Sequence, residues 1–184
     1  MPGRLTLLTT TALTLIAALV TPNHAAACGN ADRMEHDDAV KRIAQIEFHL
    51  RYEQHWLADQ ALPTPGLGTW GTEELEDRAT DLRYVLDLRW KKRKVGHAVE
   101  WFRERPRKTL EHRAWLAEAL VENDTLHEAR TILRDLDKRD VMPDGHGYAT
   151  LARITQGDER IAALSKCRKR AVVKSICGAA PRTT

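Results

Sequence analysis

The chain has 184 residues, 30% of them charged and 42% apolar, with a formal charge of +3 at neutral pH. That length suits one compact domain, not a multidomain machine, and a balance so near zero with both signs interspersed is not built to bind through bulk charge. Five Trp and only seven Pro describe a folded, helical chain and not a disordered tail.

At the N-terminus a single Arg4 precedes an apolar, threonine-rich stretch from Leu5 to Val20, then Pro22, then Ala25-Ala26-Ala27 directly before Cys28. This is the order of a secretory signal peptide, and the stretch is too short to span a bilayer. Residues 1–27 are therefore predicted to be removed and the protein to be exported, periplasmic or secreted. Cys28 then stands where a lipoprotein carries its acylated cysteine, although the larger aliphatic residue of that signal is missing. It is the candidate lipidation site, and the one route by which membrane attachment is expected. Residues 28–36 read as an N-terminal tether.

From Asp37 to Ala61, Val40, Ile43, Ile46, Leu50 and Leu57 recur at helical spacing, so 37–62 is predicted to be one long helix capped by Asp37 or Asp38. The run Leu62-Pro63-Thr64-Pro65-Gly66-Leu67-Gly68 stops it and makes 63–72 a loop. Thr72 followed by Glu73, Glu74 and Glu76 is a helix start, and Leu82, Val85, Leu86 and Leu88 form a second apolar stripe leading to Trp90.

Downstream the same text returns. Leu116-Ala117, Leu120, Leu126, Ala129 and Leu133 are echoed by Leu151-Ala152, Ala163 and Cys167, and upstream by Val85-Leu86, Ala98 and Phe102. Aligned on Ala98, Ala129 and Ala163, the spacings are 31 and 34 residues, a period in the range of helix-turn-helix repeats. Three units, about 79–111, 110–143 and 145–174, resemble the tetratricopeptide repeat (TPR). They have a leucine and a small residue on the first helix, a short polar turn, and an alanine on the second. The outer units depart from the pattern: Leu86 replaces the small residue, and the terminal proline is displaced to Pro106 or Pro143.

The resemblance implies an all-α fold of antiparallel helical hairpins stacked as a short array over 73–176, with an N-terminal extra helix and a tail over 177–184. It also implies a concave surface made by the first helix of each pair. Carried over residue by residue, the inward positions fall on Arg83, Asp87 and Trp90, on Ala114, Glu118 and Val121, and on His146, Ala149 and Arg153. Arg83, Asp87, Trp90, Glu118, Val121 and Arg153 are the candidate partner-binding residues, suited to an extended peptide or a helix. Trp101 and Trp115 are expected to pack between helices.

Three cysteines in an exported chain invite one disulfide. On an unbroken helix Cys167 and Cys177 would lie about 15 Å apart, too far to bond. Either the chain turns between Cys167 and Cys177 and joins them, or Cys177 pairs with Cys28, or Cys167 is a small core residue and no bond forms.

No catalytic pattern stands out. His36, His49, His55, His97, His112, His127 and His146 never fall four apart, so no metal site and no cofactor are expected. Ser165 and Ser175 lie in a basic helical run, far from the strand-to-helix elbow that a nucleophilic serine occupies. The basic clusters Lys91–Lys94, Arg103–Lys108 and Lys166–Lys174 read as solvated faces and helix ends; no nucleic-acid partner is expected of an exported chain. The expectation is a non-enzymatic interaction or envelope-assembly module whose partner is a protein or peptide of the cell envelope. The competing classes are a metal- or small-ligand-binding helical bundle and an accessory subunit of an envelope enzyme.

Overall fold

The computed structural model describes residues 24–62, 70–91, 94–105 and 109–178. Residues 1–23, which hold most of the expected signal peptide, the loop residues 63–69 and the tail from 179 lie outside the described residues, as does the side chain of Cys28. Among the described residues the fold is all-α, with eight α-helices and no strand.

Helix α1 (His24–Arg51) begins in the segment expected to be processed, well before Asp37. No proline interrupts 24–51, so nothing stops helix growth at the expected cap, and residues 28–36 are helical instead of forming an irregular tether. Cleavage before Cys28 would still spare the part of α1 that packs, where Ala39, Ile43, Ile46 and Leu50 are buried. The expected single helix over 37–62 is in fact two: α1 ends at Arg51, and α2 (His55–Ala61) restarts after a turn at Glu53 with φ 59°. Left-handed backbone at a non-glycine residue is uncommon, and neither Gly nor Pro announces this stop in the sequence.

Thr72 caps α3 (Glu73–Leu86), its hydroxyl accepting from the Leu75 amide at 3.3 Å. A π turn over Asp87–Lys91 follows, then α4 (Val95–Glu104). Thr109 and His112 form a reciprocal capping box at the start of α5 (Leu110–Glu122), and Asp124 in left-handed conformation turns the chain into α6 (Leu126–Lys138). Asp144 caps α7 (Gly145–Arg153), and Gly157 with φ 56° opens α8 (Gly157–Arg170).

Successive helices pack on one another: α4 on α5, α5 on α6, α7 on α8, with α5 also against α7 and α1 against α2 and α3. The alanines aligned in the sequence, Ala98, Ala129 and Ala163, are all buried, as are Ala117 and Ala152 on the preceding helices. Small side chains at these positions let helix axes come close while larger neighbours such as Phe102, Leu120 and Leu133 fill the space between. At Gly145 two backbones come close: an added Cβ would stand 2.6 Å from Ala171 Cβ and 2.7 Å from Ala171 Cα, so that crossing admits no side chain.

After α8 the chain reverses at Ala171 and returns through a 3-10 turn (Lys174–Gly178) onto α7 and α8. The reversal brings Cys167 and Cys177 to a Cα separation of 5.9 Å, where they form a disulfide. Closing a loop of this size stabilises by about 2–3 kcal/mol, chiefly through the unfolded chain. Cys177→Ala is therefore expected to lower the urea midpoint by that equivalent and to accelerate amide exchange over residues 171–178, with α5 and α6 unchanged.

Candidate functional site

The first helices of the hairpins, α3, α5 and α7, line a trough of two lobes. The first, about 400 Å³, is lined by α1, α3, α5, the start of α7 and the returning strap, including Leu50, Arg78, Leu82, Trp115 and Val172. The second, about 370 Å³, is lined by Glu53, Leu88, Glu118, Glu122, Ala149 and Arg153, among others. Arg89, His146 and Ile176 line both lobes and divide them. Ile176 belongs to the strap held by the disulfide, which therefore builds a wall of the trough.

The charges inside are paired by design of the fold. Arg89 leaves the π turn and grips Glu118 on α5 with two hydrogen bonds, Nε to Oε2 at 3.0 Å and Nη2 to Oε1 at 2.8 Å, and reaches Asp144 at 3.5 Å. Asp144 meanwhile accepts from the Gly147 amide at 3.1 Å, so one carboxylate both caps α7 and closes the ion cluster. Burial opposes the Arg89 charge, but Glu118, then Asp144 and Glu53, outweigh it and hold the guanidinium above its usual range.

In the first lobe Arg78 joins Glu47 of α1 at 2.7 Å and Glu111 of α5 at 2.9 Å, with its guanidinium 5.1 Å over the Trp115 ring. In the second, Arg153 donates to Glu122 at 2.8 Å. Behind the trough, buried Asp81 accepts from Trp101 Nε1 at 2.8 Å, stands 2.8 Å from His112 Nε2 and 3.3 Å from Arg105. Burial alone would raise the Asp81 carboxyl; His112, Trp101 and Arg105 hold it below its ordinary value.

Glu53 projects from the α1–α2 turn between His146 Nε2 at 3.1 Å and His55 Nε2 at 3.6 Å. Burial works against its charge, and the two imidazoles reverse that, holding the carboxyl well below the usual carboxylate range. A carboxyl depressed in the folded state contributes stability above its unfolded pKa and loses it as pH falls toward the folded value. Stability is therefore expected to decline below about pH 4.5, where an unfolded Glu takes up its proton. Glu53→Gln should flatten the slope of unfolding free energy between about pH 2 and 4.5, measured by urea titrations at fixed pH.

Of the expected partner-facing residues, Glu118 and Arg153 line the trough, together with His146 and Ala149. Arg83, Asp87 and Trp90 line neither lobe. The lining face is Arg78, Leu82 and Val85 of α3, continued by Arg89 of the π turn, and that turn at Asp87–Lys91 leaves Trp90 exposed. Val121 is fully buried, because Ala114 to Val121 is buried throughout and α5 has no apolar stripe by which the sequence could set its register. Trp115 is buried and Trp101 packs on the core. The turn residue Glu53 carries no sequence signal, and Arg89 could have been found only as a cation set between the apolar stripe Val85–Leu88 and Trp90.

Among the described residues Thr150 is the one hydroxyl in the lining of either lobe; Ser165 and Ser175 are exposed elsewhere. Among the described residues no group of three or more His, Cys, Asp and Glu side chains is placed to hold a metal ion, and no helix is long and apolar enough to cross a membrane. The chain matches no protein-family model, no curated protein and no solved structure.

Proposed function

We propose that the protein is a non-enzymatic, exported interaction module whose hairpins act as degenerate tetratricopeptide units, holding an extended peptide or a helix of an envelope protein in the trough. One observation carries this reading: three successive first helices line two adjoining lobes in which Arg78, Arg89 and Arg153 are already held in ion pairs. Prepaired charges keep hydrogen-bonding capacity for a passing backbone while losing little mobility on binding, and the apolar patches at Leu82, Ala149 and Ile176 offer seats for side chains.

The test is affinity capture from the native envelope with Arg153→Glu and Arg83→Glu variants. The first places a negative charge beside Glu122 inside the second lobe and is expected to abolish capture; the second lies outside both lobes and is expected to retain it. Equal capture by both would refute the trough as the binding surface.

A further inference from the structure

Opposite its buried edge, α1 carries a second apolar face that no described residue covers. Val40, Ala44, Phe48 and Tyr52 follow one another at four-residue steps, and Trp56 at the start of α2 prolongs the line. Val40, Phe48, Tyr52 and Trp56 are 44%, 51%, 43% and 56% exposed, and the Phe48 and Tyr52 rings lie 4.5 Å apart along the ridge. Three aromatics, each burying 150–250 Å² when fully covered, give with Val40 roughly 300 Å² of open apolar surface, the size that marks a contact surface on a soluble protein.

The charges on the same face point to its occupant. Asp37 and Arg51 both flank the ridge, both are exposed, and among the described residues neither has an ion-pair partner. Along one helix they stand about 21 Å apart and cannot meet. They are equally spaced on either side of Ala44. A two-fold axis through Ala44 would set a second α1 antiparallel to the first and place Asp37 opposite the partner subunit's Arg51, and the reverse. It would also place Val40 opposite the partner's Phe48, and Lys41 opposite the partner's Glu47. At the axis itself sits the smallest side chain of the ridge, which lets the helices approach closely.

We infer that the ridge Val40–Ala44–Phe48–Tyr52 is the self-association surface of this protein, pairing two copies antiparallel about Ala44 with reciprocal Asp37–Arg51 ion pairs. The surface is isologous, so each copy supplies both halves of each pair, as a two-fold dimer requires. Its modest area corresponds to a weak dimer, with a dissociation constant on the order of 10–100 µM. Arg51 and Glu47 also border the first lobe of the trough, whereas Asp37 and Ala44 line neither lobe, so the Asp37→Arg and Ala44→Glu variants test this inference apart from whatever binds there.

Sedimentation equilibrium of the full chain from about 1 to several hundred micromolar, a range set by the expected dissociation constant, tests it by charge reversal. Wild type is expected to dimerise. Asp37→Arg and Arg51→Asp should each weaken the dimer at least tenfold, and the double reversal should restore it to within about threefold, because the pairs reform with exchanged signs. Ala44→Glu, which sets two carboxylates on the axis, should leave a monomer. All three substituted positions are exposed, and unchanged thermal unfolding of the monomer confirms that folding is not the cause. A wild type that stays monomeric throughout overturns the inference. So does a double reversal no better than the single ones. Association that ignores all four changes, as contact through the apolar run Leu5–Val20 would, also overturns it.

Discussion

Arg89→Met is expected to lower unfolding free energy by about 3–5 kcal/mol, whereas Arg89→Met combined with Glu118→Leu should recover most of the loss. The argument rests on where the charges sit. Arg89 and Glu118 side chains are 10% and 8% exposed and joined by two aligned hydrogen bonds. Removing the cation alone leaves the Glu118 carboxylate on the buried face of α5 without the two hydrogen bonds and the charge that Arg89 supplies. Removing both leaves an apolar pair of similar volume in a setting already lined by Leu88 and Ala149. The cost of the single change is thus the cost of an orphaned charge and not the worth of the bond. Urea midpoints with unchanged m values measure it, and the double-mutant cycle isolates the coupling. If the double variant proved as unstable as the single, the pair would be holding α3, α5 and α7 together through geometry that apolar contact cannot replace.

Asp81→Ala should be nearly as costly, about 3–5 kcal/mol, because one carboxylate serves three donors on two helices and the following loop. Trp101 Nε1 on α4, His112 Nε2 on α5 and Arg105 after α4 all turn toward Asp81, which is itself 3% exposed on α3. Arg105 keeps Asp77 at 2.7 Å when Asp81 is lost, but the indole N–H is left facing apolar surroundings. Asp81→Asn keeps an acceptor for the indole and loses only the charge, so a smaller penalty is expected. The ordering wild type, Asn, Ala in chemical denaturation checks the account; equal effects of Asn and Ala would mean that the charge, not the acceptor, organises the site.

The repeat text in the sequence made the second half readable because spacing and side-chain size carry the same message there. Alanines at 98, 129 and 163 recur at the period of a hairpin, and burial of all three is what close helix crossing demands. Legibility failed where no pattern exists to read. The break after Arg51 rests on left-handed backbone at Glu53, a conformation that glutamate does not advertise. The lobes are lined from α3 by Arg78, Leu82 and Val85 and not by Arg83, and the π turn that follows has no composition signal. On α5, Glu118 lines the second lobe while Val121 is buried, and a helix buried nearly all round shows no stripe. Part of the site is made of such features: Glu53, Arg89 and the strap residue Ile176 come from a turn, a π turn and a tail, and only the fold brings them beside His146.

The trough as a peptide-holding surface is tested most directly by a photo-crosslinking side chain placed at Ala149, inside the second lobe, and at Ser165, on the exposed face of α8, in cells carrying the native envelope. The account predicts one short segment of a single envelope protein captured from position 149 and absent from position 165, and a synthetic peptide of that segment competing for the adduct. The same adducts from both positions, or none from position 149, would contradict it.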